Sequence, residues 1–448
     1  MLKKNLRIKE FFFKEMEKLG PYENKPHIAI AVSGGSDSMC LLMLANEWVK
    51  KKNGKITALV VNHKLRKESE AECYKLKNFF KINNIKNYFF EWKENKKKNS
   101  IQERSRNFRY REFESWCYKN SVFHLLVGHH FDDQKETFLI RLNNNSNSYG
   151  LACMPKIIFK KKIRILRPML NLKKEDILNY LIEKKINWFE DSSNKDSKYI
   201  RNNYRKALPK LEKEGLSDKI LEKILDKAKR NRTQIEEKAV NWFVKNIEID
   251  TLGFALINYN NLKKLDQNYF IFIITRIINL ISGSAYPTKS KYIINFFNKL
   301  ELKNNFKPFN LGGCHFFLLK EKLVICREIL KNNKKNINSK FDCFYWDNRY
   351  EINVKKREKL LIKKEIGNTF FIEQLQLEGW KDIVSKRKII KKKINIHNKI
   401  VLTLPAIKNK NNRVLSVPHL NYFMDFDNKK KFSNIHFIFK PVMALSNN

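Results

Sequence analysis

The residues richest in chemical consequence are Ser33-Gly34-Gly35-Ser36-Asp37-Ser38. Three serines offer hydroxyl donors, and two glycines let the backbone come close to a bound group. Five apolar residues (28–32) precede them, and an apolar run (39–48) follows. This pattern predicts a buried strand, a glycine turn and a helix start. Amides without partners at a helix start, together with the positive end of the helix dipole, make an anion site. A bound phosphate would repel Asp37 unless a divalent cation lay between them, so Asp37 is either a cation ligand or a helix cap. This is not a Walker loop, because no lysine follows Gly35 in the required place.

Three further segments carry chemistry. Gly128-His129-His130-Phe131-Asp132-Asp133-Gln134-Lys135-Glu136-Thr137 sets two histidines and two carboxylates within five residues. Such a group can bind a metal, polarise a phosphate or shuttle protons; alternatively, Asp132 caps a helix. Arg104, Arg106, Arg109 and Arg111 cover two faces of one predicted helix. They are either forks for phosphate or a solvated surface. The polar segment 188–205 ends in Arg201, Asn202 and Arg205. It suits either a sugar–phosphate backbone or a capped helix start.

These residues need a frame to bring them together. Strands are predicted at 28–32, 56–62, 88–92 and 122–127. Helices are predicted at 39–48, 68–80, 101–118 and 132–142. The alternation implies an α/β fold with a doubly wound parallel sheet, whose ligand sites lie past the carboxyl ends of strands. Ser33, His63 and His129 fall there. A short hairpin (157–159 with 163–166), a helix (172–184) and a charged helical connector (212–244) follow. Helices at 269–280 and 290–300 and strands at 311–319 and 323–326 complete a middle region. The segment 331–336 reads as a linker and 341–448 as short strands with few helices. The expected domains are 1–211, catalytic; 212–330, mostly helical; and 337–448, small and β-rich. No internal repeat is seen.

The chain of 448 residues carries a formal net charge of +45. A polyanionic partner, nucleic acid above all, suits that charge. Lys, Asn, Ile and Phe also crowd the chain, so A/T-rich codons are a second source of lysine. Seven scattered cysteines without a Cys-x-x-Cys pair suggest a reducing cytoplasm with no disulfide framework, zinc site or iron–sulfur site. No run of about 18 apolar residues is present, so no membrane span is expected. The N-terminal segment has no apolar signal core.

Taken in order over 28–205, the motifs resemble the tRNA(Ile)-lysidine synthetase family of pyrophosphate-loop ATPases. The resemblance rests on Ser33 to Ser38, Asn62-His63-Lys64-Leu65-Arg66, Arg106 to Tyr110, Gly128 to Thr137, Arg167-Pro168-Met169-Leu170, and Glu190-Asp191-Ser192-Ser193-Asn194 through Arg205. One loop departs from the family pattern. Asn144-Asn145-Ser146-Asn147-Ser148 stands where the family has an arginine and glycines.

The resemblance implies ATP and Mg²⁺ as cofactors and an isoleucine tRNA with a CAU anticodon and free L-lysine as partners. It implies adenylation of cytidine 34, followed by attack of the lysine amine. Ser33, Gly34, Gly35, Ser36, Asp37 and Ser38 would hold ATP, with Asp37 on Mg²⁺. His129 and Asp133 would aid the transfer with Asp37. Arg104, Arg106, Arg109, Arg111, Arg201, Asn202 and Arg205 would bind tRNA, and 337–448 would read the tRNA body. A homodimer is a further expectation. The alternatives are a pyrophosphate-loop tRNA thiolase and a non-enzymatic RNA-binding protein on a decayed ATPase fold.

Overall fold

The computed structural model describes residues 2–63, 69–92, 101–144, 146, 148–160, 163–190, 200–284, 286–301, 306–330, 333–337, 343–354, 370–386 and 397–445. Lys64, Leu65, Arg66, Asn145, Asn147 and the segment 191–199 lie outside them. The chain divides into two compact units, Met1–Arg232 and Thr233–Asn448.

In the first unit α1 (Leu2–Lys18) precedes β1 (His27–Val32), α2 (Ser36–Lys51), β2 (Lys55–Asn62), α3 (Ser69–Ile82) and β3 (Lys86–Glu91). There follow α4 (Ile101–Lys119), β4 (His124–Leu126), α5 (Phe131–Asn143), α6 (Ser148–Leu151), β5 (Ile157–Phe159), β6 (Arg164–Leu166), α7 (Lys174–Glu183), α8 (Ile200–Lys213) and the start of α9 (Asp218–Asn246), whose sequence continues past Arg232. The sheet order is β3-β2-β1-β4-β6-β5. All its pairs are parallel except β5 with β6, which form the expected antiparallel hairpin.

Period-two alternation sorts the strand side chains onto two faces. Ile28, Ile30 and Val32 pack with Phe12, Leu41, Trp48 and Tyr180, so α1, α2 and α7 cover one face. Ala29 packs with Leu59, Phe113, Leu125 and Ile165, so α4 covers the other. The strand order reverses between β1 and β4. Such a sheet opens its ligand crevice there, beyond the carboxyl ends of those two strands.

Among its described residues the second unit holds three antiparallel sheets. One runs Ile247–Ile249, Ala255–Asn258, Lys322–Arg327, Cys314–Leu319, Phe309–Leu311. Its helix Gln267–Ser282 is almost wholly buried because apolar residues surround its axis. The expected helical middle region therefore contains a five-stranded sheet as well. Among the described residues the other two sheets have five and three strands, all from the tail except Lys335–Asn336, which lies in the predicted linker. Helices at Gln376–Lys386, Asn398–Val401 and Phe426–Phe432 accompany them. The Tyr350 hydroxyl donates to the Leu252 carbonyl at 2.7 Å, and Arg327 pairs with Asp347 at 3.0 Å. Contacts thus join the regions before and after the predicted linker.

Candidate active site

The turn after β1 is built for an anion. Gly34 has φ +85°, and a Cβ there would lie 2.5 Å from the ring of Phe189. Only glycine suits both demands. The Phe189 amide donates to the Gly34 carbonyl at 2.9 Å. The Ser38 hydroxyl accepts from the Ser33 amide at 3.1 Å and donates to the Gly35 carbonyl at 2.9 Å, which closes the turn on itself. Gly35 is the N-cap of α2, so no side chain caps the helix start. Asp37 is therefore not the cap and sits in the first turn. The end of β4 comes close to it: a Cβ on Gly128 would lie 3.0 Å from the Asp37 carbonyl.

The turn after β4 brings in the second cluster. The N-cap of α5 is His130 rather than Asp132, and its amide donates to the Asp133 carboxylate at 3.0 Å. Asp132 instead accepts the Lys174 amide at 2.8 Å, which ties this turn to the start of α7. Three carboxylates surround the buried His130 ring. Its Nε2 lies 3.6 Å from Asp37 and 3.6 Å from Asp133, and its Nδ1 lies 3.5 Å from Asp132. Burial opposes charge on this ring, but Asp132, Asp37 and Asp133 outweigh it and push its pKa up to about 10. The three carboxylates thus favour the imidazolium form of His130 at neutral pH. Asp37 is held below the usual carboxylate range: burial works the other way, and His130 and Lys174 prevail. Lys174 Nζ lies 2.7 Å from the Ser36 hydroxyl and 2.5 Å from Asp37.

His129 Nδ1 accepts from Arg167 Nε at 3.2 Å, which places the proton of the neutral ring on Nε2. Arg167 also donates to the Pro155 carbonyl at 2.8 Å. Behind the site, the ammonium of Lys135 reaches Asp132 at 3.0 Å and Glu212 and Asp218 at 3.1 Å each.

The predicted arginines separate. Arg106 and Arg111 are exposed on α4. Arg104 lies over the Trp92 ring. Arg109 is half-buried and stands 3.3 Å from His63 Nε2, and burial with that guanidinium lowers the His63 pKa to about 4. Arg205 pairs at 2.7 Å with Glu136, which is buried on α5. Arg201 and Asn202 lie on α8, and their side chains are outside the described residues.

The structure thus gathers Ser33 to Ser38, His130, Asp132, Asp133 and Lys174. Sequence reasoning chose His129 over His130 and missed Lys174. In a chain crowded with lysine, only its place just after Arg167-Pro168-Met169-Leu170 set Lys174 apart.

Among the described residues, no three His, Cys, Asp or Glu side chains cluster so as to hold a metal. Asp37 alone, ionised and about one-third exposed, still fits Mg²⁺. That ion commonly takes one or two carboxylates, with phosphate oxygens and water completing its shell. Cys40, Cys117, Cys153, Cys314 and Cys326 are buried, and burial pushes each thiol up.

A glycine turn opening onto a helix start at the switch point defines a nucleotide-binding α/β protein. The PP-loop domain family matches residues 3–212. The chain is 31% identical over 401 residues to the tRNA(Ile)-lysidine synthase of Rickettsia felis, covering 88% of this chain and 90% of that protein. It is 31% identical to that of Rickettsia bellii, covering 92% of each. It is 26% identical to that of Orientia tsutsugamushi, covering 97% and 98%. The chain belongs to the tRNA(Ile)-lysidine synthase family. Among solved structures, the U34-tRNA thiolase NcsA from Methanococcus maripaludis is 17% identical, with a TM-score of 0.43 over 50% of this chain and 78% of that one. No helix among the described residues is long and apolar enough to cross a membrane.

Proposed function

We propose that this chain is an ATP-dependent ligase. It joins the amine of free L-lysine to C2 of cytidine 34 in the CAU anticodon of an isoleucine tRNA. ATP first adenylates the C2 oxygen and pyrophosphate leaves; lysine then displaces AMP. The observation that carries this reading is the open phosphate turn facing the His130 cluster across the β1–β4 switch point.

Each group has a task. The amides and hydroxyls of Ser33 to Ser38 hold the phosphates as charge develops on the leaving pyrophosphate. Asp37 would hold Mg²⁺, which neutralises that charge when bound. His130, held by the surrounding carboxylates, helps keep Asp37 and Asp132 ionised. His129, with its proton on Nε2, donates toward the reacting oxygen, and Asp133 aids the transfer. The attacking lysine must lose a proton. From a pKa near 10.4 this costs about 4–5 kcal/mol at pH 7, so its pocket must favour the neutral amine. The target base lies in a single-stranded loop, so exposing it costs little.

The exposed Arg106 and Arg111 suit tRNA phosphates, as do Arg201 and Asn202 on α8. Arg109 serves better as the partner that orients His63. The region 337–448 suits the body of the tRNA, where isoleucine tRNA can be told from other tRNAs. A cytoplasmic location and a homodimer fit this reading. The test is ATP–pyrophosphate exchange, which should depend on the isoleucine tRNA, followed by lysine incorporation at cytidine 34. Exchange that ignores tRNA, or incorporation of sulfur, would overturn the proposal.

A further inference from the structure

We infer that Lys174 is the phosphate-binding cation of this loop, delivered from a distant element, and that it exchanges Asp37 for the terminal phosphates when ATP binds. The inference rests on the ATP reading above and adds a residue to it.

The loop has the shape of a phosphate cradle but lacks a lysine of its own: none occupies 33–38. In P-loop enzymes a lysine supplies a mobile point charge that helix amides cannot. Here the first residue of α7 brings one. The Lys174 amide is held by Asp132 at 2.8 Å, so the root of the side chain is fixed. Its ammonium then meets the Ser36 hydroxyl and Asp37, the first two residues of α2. This places a cation at the mouth of the anion site.

The pair is also suited to exchange. The side chains of Lys174 and Asp37 are 36% and 35% exposed, so a ligand can reach both. Asp37 keeps a second neighbour, the His130 ring, with Nε2 at 3.6 Å, so it is not stranded when Lys174 leaves. A divalent ion arriving on Asp37 would repel the ammonium, and a phosphate beside the same helix start offers it stronger acceptors. The two cations therefore sort themselves: the metal goes to the carboxylate and the ammonium to the phosphate.

The experiment compares binding of ATP and adenosine by calorimetry, with Mg²⁺ present, for the full chain, Lys174→Gln and Lys174→Arg. Lys174→Gln should weaken ATP by about tenfold to a hundredfold, the value of one charge-assisted hydrogen bond. Its adenosine affinity should stay the same, and Lys174→Arg should recover part of the loss. Equal loss of ATP and adenosine would show a structural lock and overturn the role. So would unchanged ATP binding. A wild-type chain that binds no ATP would overturn the functional reading itself, a result distinct from both.

A second measurement needs no variant. Amine-reactive labelling of the native chain, read by mass spectrometry, should show Lys174 protected several-fold by Mg²⁺ and inorganic pyrophosphate but not by adenosine. Neighbouring Lys173, paired with Asp218, is the internal control. Labelling of Lys174 that ignores pyrophosphate would also overturn the proposal.

Discussion

Two helix starts face each other across the β1–β4 crevice, and they are finished in opposite ways. The start of α2 is capped by a glycine, and no side chain hydrogen-bonds its cap. The start of α5 is closed by side chains, with the His130 amide on Asp133 and the His130 ring among Asp132, Asp133 and Asp37 of α2. The open end keeps its dipole and amides for a ligand. The closed end spends its polarity on internal partners and becomes a rigid wall. A site that must hold a shifting charge needs both, one side to receive it and one side that does not rearrange.

The largest break in this contrast should come from Asp37→Asn, which removes the charge between the two helix starts. We expect ATP–pyrophosphate exchange to fall about 10²-fold or more, as for loss of one electrostatic stabiliser, with an unchanged circular dichroism spectrum. Near-normal exchange would remove Asp37 from the chemistry.

Lys135→Met attacks the closed side from behind. It leaves Asp132, Glu212 and Asp218 without their shared cation and should cost about 1.5–3 kcal/mol in urea unfolding. A loss within experimental error would mean that the wall does not depend on this network.

His130→Gln sharpens the comparison through pH. The folded-state pKa of His130 is raised to about 10, above the ordinary value near 6.5. Its stabilisation is then fully present below about pH 6.5 and lost as pH rises toward 10. The stability gap between wild type and His130→Gln should therefore narrow from pH 6 to pH 10. Parallel curves would contradict the imidazolium assignment.

The smallest effect concerns α4, away from both helix starts. Arg106→Ala with Arg111→Ala should flatten the log–log salt dependence of tRNA binding by roughly 0.7–0.9 for each arginine–phosphate pair removed. Exchange at saturating tRNA should hold. An unchanged slope would make this face a solvated surface.

The open side was legible in the sequence because its pattern is local. Ile28 to Val32 and the two glycines state a strand and a turn within a few residues, and the structure keeps both. The closed side was only half legible. Adjacent histidines 129 and 130 have the same chemistry, and which one faces Asp37 depends on where α5 begins. The predicted cap, Asp132, was lost to a partner 42 residues away on α7, a distance at which periodicity says nothing. Arg109 illustrates another limit: residues on one helix share a charge pattern, but only the packing of His63 turns that one inward. The tail was hardest, since strands of two to four residues such as Tyr422–Phe423 and Pro405–Lys408 are too short for alternation to register.

The side chain of Lys135 is 9% exposed, and this gives an experimenter a handle. Counter-ions act where they can reach, and at 0.1 M salt their screening length is about 10 Å through water. The Lys135 side chain is largely shielded from them, whereas Arg106 and Arg111 are exposed on α4. Raising salt should therefore strip RNA from the outside while the wall behind the nucleotide site stays intact. Ionic strength alone would then separate the two halves of the substrate.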